Sequence, residues 1–197
     1  MAFKIFDLHD LSSVKVEDPA LSKYINIEPK LVLKNHGRHC YKFGRIKVNI
    51  VERLACYLGV PGHRGKKQTI RTNWSSGKYS RNMKTVLEAF KIIEEKTKQN
   101  PVQVFVKAVE NCSPCDEVTT IEYGGARYPQ AVDVSPTRRI ALALRNIVHG
   151  SYDKAFGKKA SMAEGLATEI VAAFQKSNES FAYQKRVDTE KQADAAR

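Results

Sequence analysis

Residues 118–144 read VTTIEYGGARYPQAVDVSPTRRIALAL, and the hydrophobic period changes inside this stretch. Segments 118–122 and 131–134 have the composition of two strands, and the glycines between them, Gly124 and Gly125, are typical of a tight hairpin turn. The strands contain too few apolar residues to form the core of a sheet, so we expect the hairpin to project from a helical body. A helical period resumes after the hairpin. It places four apolar residues on one side: Ile140, Leu144, Ile147 and Val148.

The remainder of the chain has the pattern of amphipathic helices. One predicted helix begins near Val48 and ends at Gly59, and a second covers residues 82–97. A third begins at Pro101, because a proline at the first helical position loses no hydrogen bond. A capping-box spacing then opens a further helix, with Ser161 followed three residues later by Glu164. The apolar positions of these four helices are Ile50, Val51, Leu54, Leu58; Met83, Val86, Leu87, Phe90, Ile93; Val102, Phe105, Val106, Val109; and Met162, Leu166, Ile170, Phe174.

These elements predict one mainly α domain over residues 36–197. We expect a helical bundle of about six helices, a protruding β-hairpin near 117–134, and a C-terminal tail over 178–197 with a modest helical signal. Residues 1–35 have scattered charges, two prolines and no sustained period. We therefore predict that they form a basic N-terminal extension with little core of its own. A hydrophobic content of 42% is sufficient for a packed core in a chain of 197 residues.

The positive charge is concentrated in one quarter of the chain. Residues 34–84 hold thirteen Lys and Arg against a single acid, Glu52, and this difference equals the net charge of +12 of the whole chain. A stretch of one sign repels itself unless a polyanion lies against it. Glycines and aromatic residues interleave with these cations, as expected for a surface that meets phosphates and bases. Charge and composition therefore predict a nucleic-acid partner, although some of these cations could merely solvate a loop.

Several side chains in this region have more than one interpretation. Trp74 and Tyr79 suit stacking on unpaired bases, and they equally suit hydrophobic lids on the helical core. Lys158 and Lys159 are either RNA contacts or ordinary loop residues. The glycines do not form a nucleotide-binding P-loop, since Tyr79 follows Gly77-Lys78 where that motif requires Ser or Thr. The basic residues that we predict to bind RNA are Arg38, Lys42, Arg45, Lys47, Arg64, Lys66, Lys67, Arg71, Lys78, Arg81, Lys84, Arg138, Arg139, Arg145, Lys158 and Lys159.

Arg138 and Arg139 occupy the first turn of a predicted helix, where the helix dipole disfavours cations. Their position is understandable if they reach outward to phosphates or to nearby Asp133, and it is largely the resemblance of this segment to a known family that favours phosphates. Arg145 lies seven residues after Arg138 and shares its face.

No arrangement of residues predicts catalysis, a cofactor or a membrane segment. Cys112 and Cys115 have the spacing of half a zinc site, but a tetrahedral site needs two more ligands, and candidates such as His36 and His39 lack a regular spacing. We therefore predict no metal. The longest apolar block, residues 140–144, is far shorter than the ~18 residues of a membrane helix. The four cysteines do not resemble a secreted disulfide framework, which favours a reducing, cytoplasmic compartment.

Residues 123–139, followed by IALALR at 140–145, closely resemble the small-subunit ribosomal protein seven family, called small-subunit protein five in eukaryotes. The similarity continues in HGRH at 36–39, NIVERL at 49–54, SGK at 76–78, AFKIIEE at 89–95, NPVQV at 100–104 and SFAYQKR at 180–186. These motifs occur in the family's order over residues 36–197, and the loop 59–75 resembles the archaeal form. The chain departs from relatives with SPCD at 113–116, where they often have APRE, and with a shorter basic run in the tail.

The resemblance implies a helical domain with a projecting hairpin that organises the three-prime major domain of small-subunit rRNA, the future head. It places hairpin and tail near the mRNA exit and the tRNA exit site, close to ribosomal protein eleven and other head proteins. The residues expected near mRNA and tRNA are Gly124, Gly125, Arg127, Tyr128, Lys185 and Arg186. Two other classes stay open at this point. One is a free-standing regulator that binds mRNA, and the other is a zinc-dependent enzyme or redox protein.

Overall fold

The computed structural model describes residues 4–5, 8–11, 13–60, 63–64, 68–69 and 75–197. Helices dominate this part of the chain, as the sequence predicts. They are α1 (Pro19–Ser22), α2 (Ile50–Leu58), α3 (Tyr79–Thr97), α4 (Pro101–Cys112), α5 (Pro136–Ala155), α6 (Met162–Phe174), α7 (Phe181–Ala195) and the 3-10 helix Gly44–Lys47. The strands form three antiparallel pairs: β1 (Lys4–Ile5) with β2 (His9–Asp10), β3 (His63–Arg64) with β4 (Gln68–Thr69), and β5 (Asp116–Tyr123) with β6 (Ala126–Asp133).

The helix ends follow the local sequence signals. The Asn49 side chain accepts a hydrogen bond from the N–H of Val51 at the start of α2, and Asn100 does the same for Val102 at the start of α4. The predicted capping box is present at α6, where the Ser161 hydroxyl accepts from the N–H of Glu164 and the Glu164 carboxylate accepts from the N–H of Ser161. These bonds satisfy N–H groups that have no partner within a helix.

Helix α6 is the centre of the bundle and packs against α3, α4 and α5. Its small residues allow this close approach. A Cβ added to Gly165 would lie 2.8 Å from the carbonyl oxygen of Ser151 on α5, so any side chain there would force the two helices apart. Leu166 and Ile170 of α6 are fully buried, and so are Phe90 of α3 and Phe105 of α4, whose ring centroids are 5.9 Å apart. Among the described residues, no helix combines the length and the apolarity needed to cross a membrane.

The β5–β6 hairpin projects from this body, which confirms the prediction. Its ladder runs from Asp116 opposite Asp133 to Tyr123 opposite Ala126. The two turn residues, Gly124 and Gly125, have φ angles of 58° and 83°. A two-residue hairpin turn with both φ angles positive favours glycine, because a Cβ is strained in this conformation. All residues from 119 to 130 are exposed, so the hairpin has no face in the core.

Several apolar residues of the N-terminal extension pack into the main core of the helical bundle. Leu21 is fully buried, and Ile25 and Leu33 also belong to the main hydrophobic cluster. The extension is not basic, since its first 33 residues carry four basic and five acidic side chains. The Glu110 carboxylate on α4 fixes it in place by accepting hydrogen bonds from the N–H groups of Glu17 (2.7 Å) and Asp18 (3.2 Å).

We expect the Glu110→Ala substitution to destabilise the protein by about 1–3 kcal/mol, because the partly buried N–H groups of Glu17 and Asp18 would lose their hydrogen-bond acceptor. Chemical denaturation measures this change. The control is Glu95→Ala, which removes an exposed carboxylate of α3 and is expected to change the free energy of unfolding by less than about 0.5 kcal/mol. Equal effects of the two substitutions would show that Glu110 does not hold the extension.

The C-terminal segment is a complete helix rather than a weakly helical tail. Helix α7 spans Phe181–Ala195 and packs against α4, α5 and the base of the hairpin. Its N-terminus is held by Glu169 of α6, a fully buried carboxylate that accepts hydrogen bonds from the Ser180 hydroxyl (2.8 Å) and the Ala182 N–H (3.0 Å). The same carboxylate forms an ion pair with Lys154 of α5 at 2.7 Å. One buried side chain thus joins α5, α6 and α7.

Candidate nucleic-acid interface

Residues 36–48, which we call the lead-in, carry four of the cations predicted to bind RNA. Within the described residues, none of these four has a carboxylate partner. Three further predicted cations are exposed around the start of α3. The exposed set is Arg38, Lys42, Arg45, Lys47, Lys78, Arg81 and Lys84. The predictions for the side chain of Arg64 and for Lys66, Lys67, Arg71 and Trp74 lie outside the described residues.

The lead-in has an unusual backbone at Phe43-Gly44. Phe43 has a φ angle of 63°, a left-handed conformation that is an outlier for a bulky residue. A glycine is required at the next position because the backbone passes close to His39: a Cβ on Gly44 would lie 2.3 Å from the carbonyl oxygen of His39. The 3-10 helix Gly44–Lys47 then leads towards α2. The result is a compact loop whose shape depends on a glycine.

Two aromatic rings of the lead-in are exposed beside these cations. The side chains of Tyr41 and Phe43 are 54% and 66% exposed, although neither residue type favours water. The Lys42 Nζ lies 5.4 Å from the centroid of the Phe43 ring, and the Lys47 Nζ lies 5.8 Å from that of Tyr41. Rings and cations therefore alternate on one short surface.

A cleft of about 900 Å³ opens between the lead-in, α2 and the first turns of α5. Its walls include Tyr41, Phe43 and Arg45 of the lead-in and Arg138 of α5. Glu52 is the one carboxylate among the lining residues; it is buried, burial raises its pKa, and it accepts a hydrogen bond from the Asn35 N–H at 2.6 Å. The structure thus brings together two predicted cations that are 93 residues apart in sequence, Arg45 and Arg138.

The two arginines at the start of α5 have partners within the chain. Arg138 donates two hydrogen bonds of 2.7 Å to Glu117 of β5, and these bonds lower the pKa of the Glu117 carboxyl. Arg139 is largely buried and contacts Asp18 of the extension at 2.9 Å. Asp133, the carboxylate that the sequence suggested, pairs with neither arginine in the contacts that the structure describes. Arg138 is still 56% exposed and can also meet a phosphate, whereas Arg139 joins the extension to α5.

The remaining predicted cations lie apart from the cleft. Arg145 is half-buried on α5, close enough to Glu117 to contribute to its lowered pKa. Lys158 and Lys159 are exposed in the loop between α5 and α6. That loop also exposes the ring of Phe156, at 55%, which the sequence analysis did not select. The sequence signal that could have identified it is an aromatic residue, Phe156, close to the pair Lys158-Lys159.

The tip of the hairpin is exposed and carries both charged and aromatic side chains. Arg127 is 74% exposed and lies 3.7 Å from Glu122, its cross-strand neighbour. Tyr128 lies opposite Ile121, and both are exposed. Tyr123 next to the turn is 82% exposed and was also missed by the sequence analysis.

The predicted tail residues Lys185 and Arg186 lie on α7 and differ from each other. Lys185 is exposed, with its Nζ 3.9 Å from Asp188. Arg186 points inward: it donates to the backbone carbonyl of Asn111 at 2.9 Å and pairs with Glu190. Arg186 therefore fixes α7 to the end of α4, whereas Lys185 is exposed on α7, as is Lys191.

The surroundings of Tyr79 distinguish between its two interpretations, a ring that stacks on bases and a lid on the helical core. The Tyr79 ring packs against the hydrophobic cluster with Lys34 above it at 5.7 Å, and burial raises the pKa of its hydroxyl, which supports the lid interpretation.

Cys112 is fully buried, and burial raises the pKa of its thiol to about 12, whereas Cys115 is exposed. The described residues contain no group of three or more His, Cys, Asp or Glu able to hold a metal ion.

Exposed cations without carboxylate partners, alternating with exposed rings, are what RNA-binding proteins present to phosphates and unpaired bases. The fold and the surface therefore place this chain in the class of RNA-binding proteins. A comparison with protein families narrows that class, since the family described as "Ribosomal protein S7p/S5e" matches residues 22–197. The chain belongs to this family, whose members are structural, non-enzymatic components of the ribosome.

The curated relatives are similar to the chain over almost its whole length. The "Small ribosomal subunit protein uS7" of Nanoarchaeum equitans is 46% identical over 198 residues and covers 100% of both chains. The protein of the same name from Methanothermobacter thermautotrophicus is 45% identical over 98% of both chains. That from Archaeoglobus fulgidus is 44% identical over 98% of this chain and 94% of its own. These relatives agree with the predicted archaeal character of the chain.

Proposed function

We propose that this protein is a structural constituent of the small ribosomal subunit that binds and organises the three-prime major domain of its rRNA. The observation that carries this proposal is the lead-in, where Arg38, Lys42, Arg45 and Lys47 are exposed and unpaired with carboxylates in the described part of the chain. Four free cations on one short loop repel one another unless an anion lies against them. Archaeal relatives named as small-subunit proteins support the choice of rRNA as that anion.

The proposal assigns the lead-in and the start of α3 to rRNA, and the hairpin and α7 to the mRNA exit and the tRNA exit site in the cytoplasmic ribosome. Neighbouring head proteins and ribosomal protein eleven would meet the same end of the molecule. The shape of the hairpin supports this division, because residues 119–130 are exposed and reach beyond the helical body. A projecting strand pair with Arg127 and Tyr128 near its tip suits contact with a single strand through charge and stacking.

Co-sedimentation with small subunits through a high-salt gradient tests the ribosomal assignment. A constituent that is built into the rRNA stays with the particle at high salt, since many contacts must break together. A free-standing regulator of mRNA, the alternative, would separate from the particle as salt weakens its phosphate contacts. Recovery of the chain only in the soluble fraction would contradict the proposal and favour the regulator.

Replacing Arg127 and Tyr128 by Ala is expected to leave the affinity for the rRNA domain within about twofold, because both residues lie far from the helical body, at the tip of the hairpin. The same change is expected to lower the fidelity or the initiation rate of translation in a reconstituted archaeal system. The control is Thr119→Ala on the same hairpin, which removes neither charge nor ring. A large loss of rRNA affinity in the double variant would show instead that the tip takes part in assembly.

A further inference from the structure

We propose that the cleft between the lead-in, α2 and α5 binds one unpaired nucleotide of the RNA, with its base stacked on Phe43 and its phosphate held by Arg45. This inference rests on the proposed function and sharpens it, since a single flipped-out base is a more specific ligand than a phosphate backbone. Three independent observations carry it: the strained and exposed Phe43, the shape and lining of the cleft, and the distribution of charge around it.

Phe43 is strained and receives little burial in return. Its φ angle of 63° is costly for a bulky residue, and its side chain is 66% exposed. A residue selected for stability would either adopt ordinary backbone angles or bury its ring. Backbone strain that is not offset by burial of the side chain is concentrated at binding sites, where it holds a side chain in position for a ligand.

The surrounding loop fixes the Phe43 ring at the edge of the cleft. A Cβ on Gly44 would lie 2.3 Å from the carbonyl oxygen of His39, so the close approach of these two backbone segments requires glycine at this position. The His39 and Tyr41 rings meet edge to face at 6.0 Å and stiffen the opposite side of the loop. The ring thus stands on a loop held by local contacts, and a loop that is already in its bound shape lowers the entropic cost of binding.

The cleft has the size and chemistry of a nucleotide site. Its volume of about 900 Å³ lies within the range of small-ligand pockets, and Ile46, Val48 and Ala141 give it apolar walls for a base. Arg45 stands on its wall as a cation without a carboxylate partner in the described residues, and Arg138, which also lines it, is paired with Glu117 but is 56% exposed. Glu52, its one carboxylate, is buried and hydrogen-bonded, so the accessible charge is positive. An unpaired base stacked on an aromatic ring is the usual target of sequence-specific RNA recognition.

The test titrates the full chain and its variants against two RNAs, a transcript of the three-prime domain of archaeal small-subunit rRNA and an unrelated RNA of equal length, across a range of salt. We expect Phe43→Leu to lower the affinity for the three-prime domain by about fivefold to 150-fold, the range for a lost base stack. The salt slope should not change, because no charge is removed. Arg45→Gln should instead make the slope shallower by about 0.7 to 0.9.

Two further variants separate binding from stability. Phe43→Tyr keeps a stacking ring and should retain the affinity. Phe43→Gly relieves the strained backbone, so its unfolding temperature should be unchanged or higher while its affinity falls as in Phe43→Leu. The control is Tyr123→Leu, which removes an even more exposed ring outside the cleft and should leave the affinity for this RNA unchanged.

Three results would overturn the inference: an affinity of Phe43→Leu within twofold of the original, an equal loss in Tyr123→Leu, or a lowered unfolding temperature in Phe43→Gly. Failure of the proposed function is a separate outcome, since it would be seen as equal affinity of the unchanged protein for both RNAs. In that case, a lower affinity of Phe43→Leu for both RNAs would uphold the nucleotide site without the ribosomal assignment. An unchanged affinity of Phe43→Leu would overturn both the nucleotide site and the ribosomal assignment.

Discussion

Replacing Arg38, Lys42, Arg45 and Lys47 together by Gln is expected to lower the affinity for the three-prime rRNA domain by about 1,000-fold at 0.1 M salt. Each phosphate contact contributes about 0.7 to 0.9 to the slope of log affinity against log salt. Four lost contacts therefore make the slope shallower by about 3, and at 0.1 M salt, one decade below 1 M, they remove about three decades of affinity. Filter binding or fluorescence anisotropy across salt measures both quantities.

The fold should not change in this variant, because the four side chains are exposed and have no carboxylate partner in the described residues. A charge-matched control replaces four other exposed lysines, Lys91, Lys96, Lys98 and Lys176, by Gln. These residues lie outside the predicted interface. If both variants lost affinity equally, binding would depend on the net charge of +12 alone and the lead-in would not be the interface.

Glu169→Ala is expected to destabilise the protein by about 3–5 kcal/mol, the usual effect of removing one partner of a buried ion pair. The Glu169 side chain is fully buried and contacts Lys154, Ser180 and Ala182 together. Its loss would leave an ammonium group, a hydroxyl and an N–H group without an acceptor, and it would release the N-terminus of α7. Denaturant unfolding followed by circular dichroism measures the change.

A double-mutant cycle shows whether the ion pair itself is responsible. Lys154→Met alone leaves the buried carboxylate uncompensated, and Glu169→Gln alone leaves the ammonium group uncompensated. Their combination removes both charges and keeps an acceptor for Ser180. The combined variant is expected to be more stable than Glu169→Ala, because a buried pair can be replaced at lower cost than it can be broken. If Glu169→Ala changed stability by less than about 1 kcal/mol, the carboxylate would not join the three helices.

Local sequence signals predicted the elements that have their own periodicity. Helices α2 to α6 and the hairpin agree with apolar spacing, the capping box at Ser161 and the Gly124-Gly125 turn. Helix α7 was underestimated because it has almost no apolar face, and it is held instead by Glu169 and Arg186. Such contacts join residues that are distant in sequence, and no local pattern reveals them.

The extension and the arginines of α5 show the same limit of local patterns. Leu21, Ile25 and Leu33 enter the core without a sustained period, so no local pattern indicated that their segment joins the core of the bundle. Arg139 pairs with Asp18, which is 121 residues away. Composition predicted a cationic surface, and Arg38, Lys42, Arg45 and Lys47 are exposed, because the exposure of a charge depends little on such pairing. The strained backbone of Phe43 had no signal except the glycine after it.

One binding measurement tests the central claim most directly. The purified chain is titrated with the three-prime domain of small-subunit rRNA and with an unrelated RNA of equal length, across a range of salt concentrations. We predict that the affinity for the rRNA domain exceeds that for the control RNA and that this preference persists as salt increases, since shape and base contacts do not depend on counterion release. Equal affinities that disappear together with increasing salt would contradict the account and leave only a basic protein that binds polyanions.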